Sequence, residues 1–282
     1  MQYPSSAFNN GPLLIYLTSR DKSRGEEALE GIKNDAQLKK AKSLVADGGL
    51  VDVRHHPLDI AEVESIRRFA EFLKKEHPQG IDFVINNAGI AMNGFGEPLM
   101  RFIPKLSNQN RDSADSNVVN GTLKVNYFGT LHATQIFLPL IKPSGRLVNV
   151  SSMLGKLNRY PTSLRKRFLS ANSTDEITTL MDEFRSAVES KTEQSQGWPR
   201  TAYAVSKAGV VGMTKAVARE EAGKKSGILI NACCPGYVNT DMTGGHGVKT
   251  PDEGAKTLVL LALGNIGGRS GLFWQSERPI EW

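Results

Sequence analysis

The chain has 282 residues, 39% of them apolar, with a formal charge of +6, two cysteines and five histidines. That is enough apolar material for one large α/β domain covering 1–282. The pattern argues against a nucleic-acid surface, a metal centre and a membrane span: aromatic and basic residues do not interleave, the histidines and adjacent Cys233-Cys234 lack ligand spacing, and the apolar run 258–263 is far too short.

In chain order, residues 13–18 (LLIYLT) read as a buried strand and 22–33 as the helix after it. The lysines at 39, 40 and 42 mark a solvated helix face. Residues 51–57 form a second strand ending at Leu58-Asp59-Ile60, and 61–77 a helix with Val63, Ile66, Phe69, Ala70 and Leu73 on one face. A third strand, 81–85, runs into Asn86-Asn87-Ala88-Gly89. A long helix is expected over 116–141, then a turn at Pro143-Ser144-Gly145 into the strand 146–150. Helical patterns occupy 164–169 and 175–189, and a further helix carries Tyr203 to about residue 222. The strand 228–233 follows, then a helix start at Thr250-Pro251-Asp252-Glu253 and a last short strand at 271–274. Strands alternating with helices imply a parallel sheet, whose carboxyl edge is where ligands bind. Residues 1–6 carry neither the charged nor the apolar region of a secretory signal, so the chain is expected in the cytoplasm.

Tyr203 and Lys207 stand four apart, on one helix face. An ammonium beside a phenol stabilises phenolate and eases proton release. With Ser151-Ser152 upstream to fix a carbonyl oxygen, the set suits carbonyl reduction with a hydride donor. A tyrosine–lysine pair alone is weak, because any amphipathic helix can carry one.

Its neighbours add specificity. Asn86-Asn-Ala-Gly89, Asn126-Tyr-Phe-Gly-Thr130, Gly145-Arg-Leu-Val-Asn-Val-Ser-Ser152, Tyr203-x-x-x-Lys207 and Asn231-Ala-Cys-Cys-Pro-Gly-Tyr-Val-Asn-Thr-Asp241 come in the order of the short-chain dehydrogenase/reductase family. The chain most resembles that family's NADPH-dependent carbonyl reductases. The resemblance implies a Rossmann-type doubly wound parallel sheet flanked by helices. It also implies reduction of an aldehyde, ketone or quinone, with Tyr203 as proton donor and Lys207 tuning it and holding the nicotinamide ribose. By position, Ser152 rather than Ser151 meets the substrate carbonyl. Asn126 matches the residue that anchors a relay water; a helix-packing amide is the alternative. For NADPH the resemblance implies Arg20 at the ribose phosphate, Asp59 at the adenine, and Asn87, Ala88 and Gly89 under the cofactor. Pro235, Val238 and Thr240 match the segment at the carboxamide. Trp198 either lines the substrate pocket or packs.

Two departures stand out. The family's opening strand and Gly-rich turn are missing, which leaves two interior strand edges without a partner. The helix tail resembled by residues 1–8 is all that precedes 13–18, so a shortened form of a longer reductase is expected. Ser152 and Tyr203 are also 51 positions apart (203 − 152), and the helical insertion 153–200 resembles that of monomeric carbonyl reductases. The expected species is therefore a monomer with a small-molecule carbonyl substrate. The alternatives are a non-catalytic chain that does not bind cofactor, and an alcohol or steroid dehydrogenase.

Overall fold

The computed structural model describes residues 11–91, 115–224 and 226–282. The segment 1–8 lies outside them. β1 (Leu13–Ser19) pairs in parallel with β2 (Val51–Pro57), in register from Leu13 opposite Val51 to Ser19 opposite Pro57. Between them come α1 (Lys22–Asn34), whose Arg24 N–H donates to the Asp21 carboxylate, and α2 (Ala36–Lys40), which holds Lys39 and Lys40 in solvent. α3 (Val63–Glu76) buries Ile66, Phe69, Ala70 and Leu73, the stripe its periodicity marks out.

The remaining strands form a second sheet: β3 (Ile81–Asn86), β4 (Ile141–Val150), β5 (Leu229–Cys234), β6 (Phe273–Gln275) and β7 (Arg278–Ile280). The first four run parallel and β7 closes the edge antiparallel. β4 starts five residues before the expected strand. Pro139 cannot extend the preceding helix, so the chain leaves it through the turn Leu138–Leu140 and Ile141 pairs at once with Ile81. A register shift between Ile81 and Phe83, with Ser144 at φ 64, absorbs the extra length. β7 carries no sequence signal. Its two-residue turn uses Ser276 (φ 49) and Glu277 (φ 61), where a left-handed pair ordinarily reads Asn-Gly.

The sheet is divided between β1 and β3, and each keeps one edge without a strand partner among the described residues. This corrects the reading of β1 as a buried strand: all seven residues are only half-buried, and Ile85 of β3 is 36% exposed. A parallel strand is covered on both sides only when neighbours flank it, and each of these has one. Helices hold the two parts together. Tyr16 of β1 and Ile81 and Val84 of β3 pack on one cluster built from Phe69, Leu73 and Phe137.

The long helix forms in three parts: α4 (Ser116–Leu123), a π-helical turn Lys124–Gly129, and α5 (Thr130–Phe137). Within 153–200 lie α6 (Thr162–Ser170) and α7 (Thr174–Glu189); α7 packs on α4 and on α8 (Ala202–Gly223) around Ile177, Met181, Phe184 and Val205. α9 (Pro251–Leu263) begins with the capping box that Thr250 and Glu253 foretell. No helix among the described residues is long and apolar enough to cross a membrane, and none of their side chains group as a metal site.

Candidate active site

β4 ends at Val150 beside the middle of α8, and the two serines after it part ways. Ser151 is buried, and its hydroxyl donates to the Lys207 carbonyl at 2.8 Å. Ser152 faces the open edge: its Oγ accepts from the Leu154 N–H at 3.2 Å and shares a hydrogen bond with the Tyr203 phenol. The helix spacing puts Lys207 one turn below Tyr203. Lys207 is 4% exposed, its Nζ donates to the Val150 carbonyl at 2.8 Å, and it lies 5.6 Å from the Tyr203 ring centroid. Ser152, Tyr203 and Lys207 are thus brought together, and the serine already bound into the helix is Ser151.

The electrostatics differ from the simple phenolate expectation. Burial pushes the Tyr203 phenol up to about 12, with nearby Cys234 adding to the rise and the Ser152 bond opposing it. Burial likewise pulls Lys207 down to about 8, against the pull of Cys234 and Cys233. The ammonium meets the ring face rather than the hydroxyl, so desolvation outweighs its attraction for phenolate. The resting tyrosine is a protonated acid.

Asn126 lies in the π turn, a distortion common at functional sites, and is fully buried. Its amide clamps one backbone unit. Nδ2 donates to the Ile90 carbonyl at 2.9 Å, Oδ1 accepts from the Ile90 N–H at 2.8 Å, and Nδ2 also reaches Ser206 Oγ at 3.2 Å. The clamp sets Gly89 against the catalytic helix. A Cβ there would stand 3.2 Å from Asn126 Oδ1 and 3.3 Å from Lys207 Nζ, a close approach that glycine permits. Truncating Asn126 to alanine strips both groups of Ile90 of their partner. The expected destabilisation is about 2–4 kcal/mol, read as a lower urea midpoint at unchanged slope; a change under about 0.5 kcal/mol contradicts the clamp.

One network escaped the sequence reading. Asn86 donates to Asn149 Oδ1 at 2.8 Å, and Asn149, fully buried, donates to Thr214 Oγ1 at 2.9 Å. It ties β3, β4 and α8 just beneath the serines. The only signal was spacing: Thr214 lies seven residues past Lys207, two helical turns along one face.

The residues assigned to a cofactor follow the carboxyl ends of strands in two separate sheets, β1 and β2 in one and β3 and β5 in the other. Arg20 follows β1, exposed and, among the described residues, without a hydrogen bond or ion pair, and Asp59 follows β2, where its carboxylate accepts from the Ala61 N–H at 2.9 Å. The Ser19 carbonyl accepts from Leu58, which fixes these two strand ends side by side. Asn87 and Ala88 are exposed beyond β3. Pro235 and Val238 lie half-buried beyond β5; Val238 bridges Lys249, and Thr240 caps the turn Asp241–Thr243. An exposed guanidinium after β1 and a side-chain-free approach at Gly89 beside Lys207 fit a phosphate-bearing dinucleotide. Trp198 is 4% exposed, a core residue ringed by Tyr160, Phe168 and Phe184 of the insertion.

Comparison with known proteins agrees with this geometry. The short chain dehydrogenase family pattern matches residues 20–163 and 187–249. Carbonyl reductase [NADPH] 1 of Homo sapiens is 37% identical over 275 residues, which is 95% of this chain and 88% of that protein. Carbonyl reductase [NADPH] 3 of Rattus norvegicus is 37% identical over 254 residues, 88% of this chain and 81% of that protein. Among solved structures, salutaridine reductase from Papaver somniferum superposes with a TM-score of 0.75 at 25% identity, covering 94% of this chain and 99% of that one. A match spanning both the strand ends and the Tyr203–Lys207 helix places this chain in the short-chain dehydrogenase family.

Proposed function

We propose that this protein is an NADPH-dependent carbonyl reductase acting on a small aldehyde, ketone or quinone. The observation that carries the reading is the Ser152–Tyr203 hydrogen bond beside a buried Lys207 at the carboxyl edge of the sheet. The hydrogen-bonded hydroxyls of Ser152 and Tyr203 lie close enough to donate together to one substrate carbonyl oxygen. When bound, NADPH supplies the hydride taken up at the carbonyl carbon. As negative charge builds on the oxygen, Tyr203 gives it the phenolic proton, and the buried Lys207 ammonium stabilises the phenolate left behind. Asn126 holds the Gly89 turn against Lys207 and serves the relay that reprotonates the site. The protein-side contacts for the dinucleotide are Arg20 and Asp59 at its adenosine end, Asn87, Ala88 and Gly89 beneath it, Tyr203 and Lys207 at the nicotinamide ribose, and Pro235, Val238 and Thr240 at the carboxamide.

Purified protein mixed with NADPH and a panel of aldehydes, ketones and quinones should consume NADPH one-for-one with alcohol formed. No consumption with any member sinks the proposal. The break between β1 and β3 favours a second reading, a chain that does not retain cofactor; NADPH binding weaker than millimolar by fluorescence titration supports that alternative. α7 on α4 and α8 covers helix surface otherwise open to a second copy, which supports a monomer.

Cofactor choice falls on Arg20, whose guanidinium suits a ribose phosphate. Arg20→Ala is expected to weaken NADPH about tenfold while leaving NADH within twofold, on the scale of one exposed charge-assisted bond. Equal losses for the two nucleotides contradict the assignment.

A further inference from the structure

The turn that carries Ser152 is pinned from a distance. After β7, the chain brings Trp282 back over α8, where its Nε1–H donates to the Gly155 carbonyl at 2.9 Å. Both partners fit because of glycines. At Gly155 a Cβ would stand 2.6 Å from the Lys207 carbonyl carbon and 2.7 Å from Ala208 N, so this turn lies flat on the catalytic helix. At Gly212 a Cβ would stand 2.7 Å from Ile177 Cδ1 and 3.1 Å from Trp282 Cη2, so the indole lies over the same helix farther along. Edge-to-face contact with Phe168, ring centroids 5.8 Å apart, fixes the indole from the insertion side. Gly155 in turn donates its N–H to the Ser152 carbonyl at 2.9 Å, and Leu154 donates to Ser152 Oγ at 3.2 Å.

We propose that Trp282 is a positioning residue: its indole N–H locks the turn Met153–Gly155 onto α8 and so fixes the Ser152 hydroxyl relative to Tyr203 and Lys207. The inference rests on the catalytic reading above for its effect on rate, but not for its effect on the turn. Without the indole donor the turn keeps its own bonds, the Met153 backbone bond to Cys234 at its far end and its packing, but the Gly155 carbonyl loses its donor. The Ser152 hydroxyl then samples positions off the Tyr203 phenol, and misplacement at a reacting centre is costly in rate. Residues delivered by the sheet edge and by the insertion thereby converge on one catalytic hydroxyl.

The test uses Trp282→Phe, which keeps a ring against Phe168 and removes the donor, and a second variant carrying the benzothiophene isostere of tryptophan, in which sulfur replaces only the N–H. Amide hydrogen exchange at Leu154 and Gly155 should quicken about tenfold in both, the scale of one lost hydrogen bond. In the reductase assay kcat should fall about tenfold, with NADPH affinity within twofold and the alkaline limb of the kcat profile moved upward, because the Ser152 bond that lowers the phenol is weakened. Unchanged exchange at Leu154 and Gly155 in the isostere variant overturns the inference. So does a kcat loss matched in KM and in melting temperature with no shift of the alkaline limb, the mark of general loosening. A wild-type protein that reduces no carbonyl refutes the reductase reading and leaves the exchange result to decide on the turn.

Discussion

Replacing Tyr203 with phenylalanine is expected to lower kcat for carbonyl reduction by about a thousandfold, within the range for loss of a general acid. NADPH affinity should fall by less than about tenfold, since the phenol is one of several contacts proposed for the dinucleotide. The substitution removes one oxygen and keeps a ring of the same shape at the start of α8, with Thr201 still capping the helix. The loss should appear in kcat and kcat/KM together, because the phenolic proton is transferred only as the carbonyl oxygen gains charge. A variant that retains a tenth of the wild-type rate contradicts the role given to Tyr203. Since burial holds the phenol at about 12, Tyr203 itself stays protonated through the neutral range, while loss of the Lys207 charge from about pH 8 should begin to slow wild-type reduction before the phenol titrates.

Lys207→Met is expected to stabilise the protein while inactivating it. Below about pH 8 Lys207 is charged in both folded and unfolded chains, so the native state bears the whole cost of burying it. Between about 8 and 10.5 the folded lysine sheds its proton first and the cost declines; above 10.5 it is gone. The separation of the two values corresponds to about 3 kcal/mol. Leaving the Val150 carbonyl without its donor takes back about 1 kcal/mol. The net gain near pH 7 is about 2 kcal/mol, or a rise of roughly 3 °C in Tm for a chain of this size. The gain should shrink as pH rises toward 10.5, while reductase activity falls at least a hundredfold. A variant less stable than wild type at pH 7, or one whose advantage grows with pH, contradicts this account of the buried ammonium.

Elements with strong periodicity were legible before any coordinates. α3 buries the stripe its sequence spells out, β2 has the expected bounds, and Thr250 with Glu253 announces α9. These features are local, and local chemistry fixes them. Context decided the rest. β1 is as apolar as any central strand, yet exposure follows from the neighbours a strand has, and β1 has one. The left-handed turn before β7 uses Ser276 and Glu277, which carry no turn signal.

The same division holds in the site. The four-residue spacing of Tyr203 and Lys207 and the Ser151-Ser152 pair could be read from sequence, and the structure separates the two serines by the bond from Ser151 to the Lys207 carbonyl. It could not be read that the Lys207 ammonium meets the ring rather than the hydroxyl, or that burial would outweigh it. Asn126 was singled out by its motif, but its clamp on Ile90 depends on a π turn that no periodicity encodes. Trp198 lies near Tyr203 in sequence and is enclosed by the insertion's rings in space, because Tyr160, Phe168 and Phe184 join the core that the insertion shares with α4 and α8. Trp282 lies 127 positions from the glycine it holds (282 − 155), a separation at which only tertiary structure makes a pair.

The most direct test of the reductase assignment is transfer of the label from NADPH carrying deuterium at the reactive C4 position to a ketone or aldehyde, followed by mass spectrometry of the alcohol. The assignment predicts one deuterium on the carbinol carbon for each NADPH consumed, with the transfer lost in the Tyr203→Phe variant. Alcohol without deuterium, or intact NADPH after prolonged incubation with every carbonyl tried, would contradict it.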